Sequence, residues 1–449
     1  MDVYNFKFAE QYHGFWKIKG SRRKPLAGVL TIKNDVISLE VTGQNVLIKN
    51  WAVSYISVIE GYAYYKDENQ KNYVYHIILK GLILKRHSFF GKRMFNASYD
   101  VNTLFVSDKK NFKTDIIRSC CIRNGLMDSW ISNIAINSCT FEFPPNLLFK
   151  FKQSESMTLF HLDSKKIYLY FGYDFNFPDK RGFRLANKSF LNVEFESLKY
   201  FDESLNILNS IHWLFSIIWN NNSSPEYYCF RTKEGQFIYK ESRKFSYKYT
   251  SKNDSINTDI DDYDKEMFPE LFRRWFLVLK SNLSSIESFF ETLDNEYMNP
   301  SSKIKNYTTV IDGLIKSEKT DLVEVEQGCS DLIGKISEHI NKKELNLLKR
   351  FLYKHEPFTL KEKLEKILGE LSSYVELNVK DDFSSKVVNT RNILTHVRLH
   401  KRTDKIYKKE QYRDLGYCLE SLIMAYLLQQ IAVPSNVAKK TIGTISSPK

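Results

Sequence analysis

The stretch YTSKNDSINTDIDDYD, residues 249–264, separates two regions of the chain that differ in their hydrophobic pattern. It has no hydrophobic period and is rich in Ser, Asn and Asp, so it predicts a linker. Before it, β-branched and aromatic residues occur in short runs; after it, apolar residues recur every three or four positions. This contrast predicts an α+β protein, with a β-rich N-terminal region followed by an all-α helix bundle.

The region before the linker has the composition of a β-sheet. In GVLTIKNDVISLEVTG, residues 28–43, two apolar runs flank a polar turn cluster, which is typical of a hairpin. We predict a β-rich domain over 1–135, as a twisted sheet, a sandwich or a sheet closed on itself. A mixed β/α continuation is predicted over 136–250, with a helix within 197–219.

The region after the linker is predicted to be helical. Six segments carry apolar residues at helical spacing, without strand-like alternation between them. They cover residues 266–293, 303–318, 341–355, 360–375, 381–399 and 411–432. We therefore predict a helix bundle over 264–433 and, because its last residues are polar, a disordered tail over 434–449.

Size and charge limit the class of protein. The 449 residues exceed one ordinary domain, and 43% hydrophobic, 27% charged and 14% aromatic residues are typical of a folded globular chain. A net charge of +13 attracts polyanions such as RNA, DNA or acidic membrane surfaces, without selecting among them. No run approaches the roughly 18 apolar residues that span a bilayer, and MDVYNFKFAE lacks signal-peptide features. We expect a cytoplasmic protein that does not bind membranes.

The six cysteines show no paired CxxC spacing, which gives no indication of a disulfide framework or a zinc ribbon. We expect reduced, buried thiols and no metal or other cofactor. His396 and His400 are spaced to ligate a metal, but no acidic partner lies between them as in HExxH.

The segment VVNTRNILTH, residues 387–396, combines Arg391, Asn392 and His396 on a predicted buried helix. An imidazole can take the proton of a ribose 2′-OH, and a guanidinium can neutralise charge on the attacked phosphate. Residues five apart on a helix point about 140° from each other. The pair can therefore meet one ligand at the helix edge, or a second copy of the helix can supply the other histidine as the acid.

Two other interpretations of this segment remain open. The same sequence is compatible with a surface helix whose arginine and histidine contact solvent or a carboxylate. Arg350 and His355 also have the same spacing as Arg391 and His396. Just beyond the motif, a basic run predicts either contact with the RNA backbone or a solvated helix end. The run contains Arg398, His400, Lys401 and Arg402.

The aromatic residues are assigned mainly to packing. The tyrosines of GYAYYKDENQKNYVYH, residues 61–76, can stack on bases, although strands also favour aromatic residues for sheet packing. Trp16 and Trp130 are predicted to lie in the core.

Three segments resemble a known family. TRNILTH, residues 390–396, is similar to the RxxxxH-type motif region of ApeA-like HEPN domains, in the penultimate helix of an all-helical C-terminal region. The segment GFWKIKGSRRKPLAGVLTIKNDVISLEVTG resembles the start of the ApeA N-terminal domain, and RSCCIRNGLMDSW resembles its closing tryptophan segment.

The resemblance implies a bacterial antiphage protein that acts by abortive infection. In such proteins an N-terminal region senses or restrains, and a dimeric HEPN ribonuclease acts as the toxin. It implies Arg391 and His396 as the catalytic pair, Asn392 as their supporting residue, RNA such as tRNA as substrate, and a phage-derived trigger. A non-catalytic HEPN-like module that binds RNA, a nucleotide or a protein partner is the alternative.

Overall fold

The protein forms two compact units, Met1–Phe272 and Arg273–Lys449, in a computed structural model. The structure describes residues 6, 8–44, 51–66, 72–90, 94–110, 112–130, 136–142, 146–151, 156–162, 165–179, 182–221, 225–242, 256, 258, 260–264, 266–295, 297–315, 330–337, 339–340, 344–345, 359–396 and 405–448. The predicted α+β class is confirmed, because the first unit is rich in strands and the second is helical. The 1–135 and 136–250 segments both lie in the first unit.

The first unit consists mainly of antiparallel strands. Its strands are β1 Gln11–Ile18, β2 Leu26–Lys33, β3 Val36–Gln44, β4 Tyr55–Lys66, β5 Asn72–Phe90, β6 Met94–Ser107, β7 Ile116–Arg123, β8 Ile136–Glu142, β9 Asn146–Phe151, β10 Ser156–Leu162, β11 Lys165–Asp179, β12 Gly182–Tyr200, β13 Tyr227–Arg231 and β14 Gln236–Glu241. Its helices are α1 Gly125–Trp130 and α2 Phe201–Trp219.

The hairpin of β2 and β3 turns where the sequence predicts it. Asn34 and Asp35 both have positive φ, of 50° and 60°. This conformation is that of a two-residue turn whose twist matches the flanking strands, and Asn and Asp tolerate it better than other side chains. The turn fixes the register, which pairs Lys33 with Val36.

Strands β1–β6 form a sheet that closes on itself. The order runs β6-β3-β2-β1-β4-β5, and β5 pairs again with β6. Alternate side chains therefore point into an enclosed core, as the burial pattern of β1 shows. We call this element the closed sheet.

Trp16 fills the centre of the closed sheet because two glycines give it space. It is fully buried, as predicted. Its cross-strand partner is Gly61, where an added Cβ would lie 2.4 Å from Cε3 of the indole. At Gly28, a Cβ would lie 3.0 Å from Cδ1 of the same ring. The glycines of β2 and β4 thus accommodate the indole.

The remaining strands of the main sheet extend from β6. The order continues β14-β13-β7-β12-β11-β10, while β8 pairs with β9 in a separate two-stranded sheet. Helix α2 packs on β7 and β12, and Trp130 of α1 packs its ring 5.5 Å from Phe215 of α2. Trp130 is fully buried, which confirms its predicted place in the core.

The acidic end of the predicted linker belongs to the first unit. Ile260–Asp262 forms a 3-10 turn, and Ile260 and Tyr263 are buried. The Tyr263 ring lies 5.9 Å from that of Trp130. The interpretation of 249–264 as solvated linker is therefore wrong at this end, because two apolar side chains anchor it to the tryptophan core.

Among the described residues, the second unit contains most of α3, within which the division between units falls, and five further complete helices, and residues 330–337 are also helical. The helices are α3 Met267–Asp294, α4 Pro300–Leu314, α5 Leu360–Leu371, α6 Phe383–His396, α7 Tyr412–Gln430 and α8 Ser435–Ile442. The short strands are β15 Glu376–Asn378 and β16 Thr444–Ser446. Each predicted helical segment except 341–355 overlaps one of these helices; most of that segment lies outside the described residues.

Helix α4 contacts α5, α6 and α7. It begins at a capping Asn299, whose side chain accepts a hydrogen bond from the Ser302 amide. Two polar links supplement the apolar packing. Buried Lys363 of α5 contacts the Asp312 carboxylate at 2.8 Å, and the Tyr307 hydroxyl lies 3.0 Å from the Glu420 carboxylate of α7. These two links join α4 to α5 and α7, and α6 packs on α4 and α5.

The prediction of a disordered tail over 434–449 is wrong. The segment forms α8 and β16, and β16 pairs in parallel with β15. Val437, Ala438 and Ile445 are buried despite the polar residues around them. The tail is ordered because its few apolar side chains meet α7 and because its backbone finds a strand partner far upstream.

Candidate functional site: helix α6

The motif segment lies on α6, which is anchored by one buried face. Phe383, Val387 and Thr390 are fully buried, at the three-to-four spacing of a core-facing stripe. The four residues from Arg391 to Leu394 are half-buried. The helix therefore holds the motif at the border of the core. Two described helices follow α6, so it is not the penultimate one as predicted, because the tail adds α8.

Thr390 and Asn389 fix the chain that returns after α6. The Thr390 hydroxyl donates to the Lys386 carbonyl at 2.7 Å and accepts from the Tyr407 amide at 3.0 Å. The Asn389 amide donates to the Lys405 carbonyl at 3.2 Å. Tyr407 is buried against Phe383, with ring centroids 6.3 Å apart, and burial raises the pKa of its phenol. The residue adjacent to Arg391 is thus held from two sides.

Arg391 is positioned by its neighbour Asn392. Its guanidinium donates to Oδ1 of Asn392 at 3.3 Å, and the Arg391 carbonyl accepts from the Thr395 hydroxyl at 2.8 Å. Among the described residues, no carboxylate forms an ion pair with this guanidinium. Within the described residues, Arg391 therefore has a hydrogen-bond acceptor in Asn392 but no ion-pair partner.

His396 is the last residue of α6, and its side chain lies outside the described part of the structure. Helix geometry places its Cα about 7.5 Å along the axis from that of Arg391 and about 140° around it. Asn392, four residues before His396, is on the same side of the helix. One copy of α6 consequently offers an arginine and a histidine on different sides.

Several predicted residues lie outside the described residues. They are Arg398, His400, Lys401, Arg402, Arg350 and His355. In the described part of the chain, no group of three His, Cys, Asp or Glu side chains is placed to hold a metal ion.

The comparison with protein families assigns both units. The family model described as ApeA N-terminal domain 1 matches residues 11–271, more than half of the chain, and the model described as Apea-like HEPN matches residues 281–437. The chain belongs to the ApeA family. No curated protein and no solved structure matches this ApeA-family chain.

The two family matches confirm the resemblance predicted from TRNILTH and the tryptophan segments. They associate the ApeA-family protein with antiphage defence through a HEPN module. Among the described residues, none of its helices has a stretch long and apolar enough to cross a bilayer.

Asn389 and Thr390 are site residues that the sequence analysis missed. A small polar residue on the buried stripe of a helix was the available signal, because a buried hydroxyl needs a hydrogen-bond partner. Its partner, the Tyr407 amide, lies 17 residues further along this ApeA-family chain.

Proposed function

We propose that the protein is an antiphage endoribonuclease of the abortive-infection type, which cuts RNA without a metal at α6. The observation that carries the proposal is the environment of the Arg391 side chain. The residue is half-buried, and its guanidinium donates to Asn392 and has no ion pair with a described carboxylate. An arginine at the border of a core that has no ion pair with a described carboxylate is suited to bind a phosphate.

The reaction is transesterification of the RNA backbone. The imidazole of one His396 takes the proton of the ribose 2′-OH, whose oxygen attacks the phosphorus. The bond from phosphorus to the 5′ oxygen breaks, and a second imidazole gives that oxygen a proton. Arg391 neutralises the charge on the phosphate oxygens in the transition state. The products carry 2′,3′-cyclic phosphate and 5′-hydroxyl ends.

The second imidazole comes from a second copy of the chain. On one α6 the two catalytic positions diverge by about 140°, so a single helix does not surround a phosphate. A symmetric dimer that pairs two copies of α6 supplies two arginines and two histidines to one cleft. The helix C-terminus favours a cationic side chain at His396, which suits the histidine that acts as the acid.

The basic run after α6 extends the proposed RNA surface. Arg398, His400, Lys401 and Arg402 follow His396 directly, and the chain is anchored back on α6 at Lys405 and Tyr407. Positive side chains close to the scissile bond bind backbone phosphates without reading sequence. A tRNA is one substrate of this kind.

The test is cleavage of purified RNA, with tRNA among the substrates, in the presence of EDTA. The full chain should produce 2′,3′-cyclic phosphate ends, and Arg391→Ala or His396→Ala should abolish cutting while circular dichroism and the unfolding midpoint stay unchanged. Asn392→Ala should reduce cutting less, because it removes only the hydrogen bond that orients Arg391.

The other candidates predict different results. If wild type and both variants cut RNA equally, or none cuts any RNA, a HEPN module that only binds RNA, a nucleotide or a protein becomes the better account. Arg350 and His355 have the same spacing as Arg391 and His396. The variant His355→Ala removes this second pair, and it should leave cleavage intact. Loss of cutting in His355→Ala alone would move the active site there.

A further inference from the structure

The outer face of the closed sheet carries aromatic side chains that the core does not use. From Gln11 to Trp16 of β1, exposed and buried residues alternate, so Trp16 points inward and Phe15 points outward. On β4, Ala63 is buried while Tyr62 and Tyr64 are 36% and 51% exposed. Phe15 is 42% exposed, which is high for a large apolar side chain on a regular strand.

These rings form a continuous row across three strands. Phe15 pairs with Tyr62, which pairs in turn with His76 of β5; in the adjacent row His13 pairs with Tyr64, and Tyr64 with Val74. The ring centroids of Phe15 and Tyr62 are 5.6 Å apart, and those of Tyr62 and Tyr64 are 6.0 Å apart. We call this set the outer aromatic face: His13, Phe15, Tyr62, Tyr64, Val74 and His76.

The charge beside the outer aromatic face is positive. The next row contains Lys17 and Glu60, and Glu60 is ion-paired with Lys19 at 3.2 Å. Lys17 and Lys80 have no carboxylate partner among the described residues, and the Lys80 ammonium lies 4.7 Å from the centroid of the Phe105 ring. Burial lowers the pKa of the His76 imidazole, and the positive charge of Lys110 lowers it further. A ligand on this face therefore meets flat apolar rings beside unbalanced positive charge.

We infer that the outer aromatic face binds single-stranded nucleic acid, with bases stacked on Phe15, Tyr62 and Tyr64 and phosphates beside Lys17 and Lys80. Exposed aromatic rings on a sheet, next to positive side chains, are the combination that single-stranded RNA and DNA recognise. In a duplex the bases are stacked on one another inside the helix, so their faces are not accessible for stacking on these rings. The unbalanced lysines favour a polyanion over an uncharged apolar partner.

This site is separate from the cleavage proposed for α6, since its residues lie in the first unit. It gives the N-terminal region a ligand class of its own. Binding there does not depend on catalysis, so the two proposals can fail independently.

The experiment measures fluorescence anisotropy of labelled oligonucleotides of about 12 nucleotides, a length within the usual site size. The full chain with His396→Ala is used so that RNA stays intact. Single-stranded RNA and single-stranded DNA are separate arms, and a duplex of the same sequence is the third. Binding of either single strand in preference to the duplex is expected, and equal binding of all three would overturn the inference.

Ring substitutions test the stacking. Phe15→Ala and Tyr64→Ala should each weaken single-strand binding by roughly 5- to 150-fold, the usual effect of losing one stacked base. Tyr64→Phe should bind like the parent, and Phe15→Leu should weaken binding because it keeps the apolar area but loses the flat ring. The matched control is Tyr55→Ala, an exposed tyrosine on the same strand, seven residues from Tyr62. Unchanged affinity in Phe15→Ala and Tyr64→Ala would exclude this site.

Charge and self-association complete the test. Lys17→Gln should weaken binding and make the dependence of log Kd on log salt shallower, because one phosphate contact is lost. Sedimentation of the same variants distinguishes another occupant. If Phe15→Ala changes the oligomeric state and leaves nucleic-acid binding intact, the face joins two copies of the chain and the inference is wrong.

Discussion

The hydroxyl of Thr390, together with the Asn389 amide, joins α6 to the chain that returns after the motif. Thr390 is fully buried and uses both hydrogen-bonding capacities of its oxygen, as donor to Lys386 and acceptor from Tyr407. The adjacent Arg391 carries the charge of the proposed site. The position of Arg391 is consequently tied to a hydrogen bond that does not involve any catalytic group.

Thr390→Val keeps the shape of this side chain and removes the hydroxyl. It leaves the Tyr407 amide without its acceptor, so we expect the free energy of unfolding to fall by about 1–3 kcal/mol. RNA cleavage should fall as well. The control is Thr309→Val, which removes a hydroxyl that donates to Lys305 at 2.9 Å on the exposed side of α4. Urea unfolding and a cleavage assay measure both effects; equal behaviour of the two variants would contradict this role.

The cysteines offer a second prediction on single residues. Cys120, Cys121, Cys229 and Cys418 are buried, as predicted for reduced thiols. Burial raises the pKa of the Cys418 thiol to about 12 and that of Cys120 well above its ordinary value. Because the thiolate is the reactive form, these two thiols should resist alkylation at pH 8 in the folded chain and react on unfolding in urea. Peptide mass spectrometry identifies the labelled residues; rapid labelling of folded Cys418 would contradict its burial.

Among the elements, the closed sheet depends on a close approach between β1 and β4. Gly61→Ala would place a methyl group 2.4 Å from the Trp16 ring and 2.8 Å from the Phe15 carbonyl. Because the indole is fully buried and the Phe15 carbonyl belongs to the backbone of a paired strand, we expect a loss of about 1–3 kcal/mol from overpacking. The opposite sign is expected for Gly416→Ala on α7, where a Cβ meets nothing within 4 Å and helix propensity improves by up to about 1 kcal/mol. Thermal unfolding of both variants measures these changes in stability. If Gly61→Ala is as stable as wild type, the closed sheet accommodates the added methyl group.

The ordered tail is a second element with a measurable effect. Ile445 of β16 is buried, and the pairing of β15 with β16 aligns Leu377 with Ile445. Ile445→Ala should lower the free energy of unfolding by about 2–4 kcal/mol, as for other buried isoleucines. Ser446→Ala, exposed on the same strand, should have little effect. Chemical denaturation of the full chain measures the free energy of unfolding of both variants. Equal stability of the two variants would indicate that the side chain of Ile445 does not contribute to the hydrophobic core.

At the scale of the whole molecule, the proposed active site needs two chains. If each cleft uses both copies of His396, a dimer with one His396→Ala subunit is inactive. When one part of wild type is mixed with nine parts of His396→Ala, about one wild-type subunit in ten has a wild-type partner. Activity per wild-type subunit should therefore fall to roughly a tenth, because only homodimers of wild type remain active. Dilution with buffer alone is the control. Undiminished activity per wild-type subunit would show that one chain holds a complete site.

The sequence predicted what depends on local patterns. The turn at Asn34 and Asp35 and the helical spacing of 383–396 require only neighbouring residues, and both appear in the structure. The tail was missed because its order depends on a strand about 70 residues upstream, which no local pattern reveals. Asn389 and Thr390 were missed for the same reason, since their partners lie 16 and 17 residues away.

By itself the sequence determined the division into strands and helices, the position of Arg391 and His396 on one helix, and the family. Hydrophobic period and short motifs are properties of adjacent residues, so they can be read without a fold. Only the tertiary structure decided that Phe15 faces outward beside Tyr62 and that Gly61 lies across from the buried indole, because both depend on how β1 pairs with β4. It also decided that Arg391 stays free of described carboxylates, because charge pairing depends on residues that folding brings together.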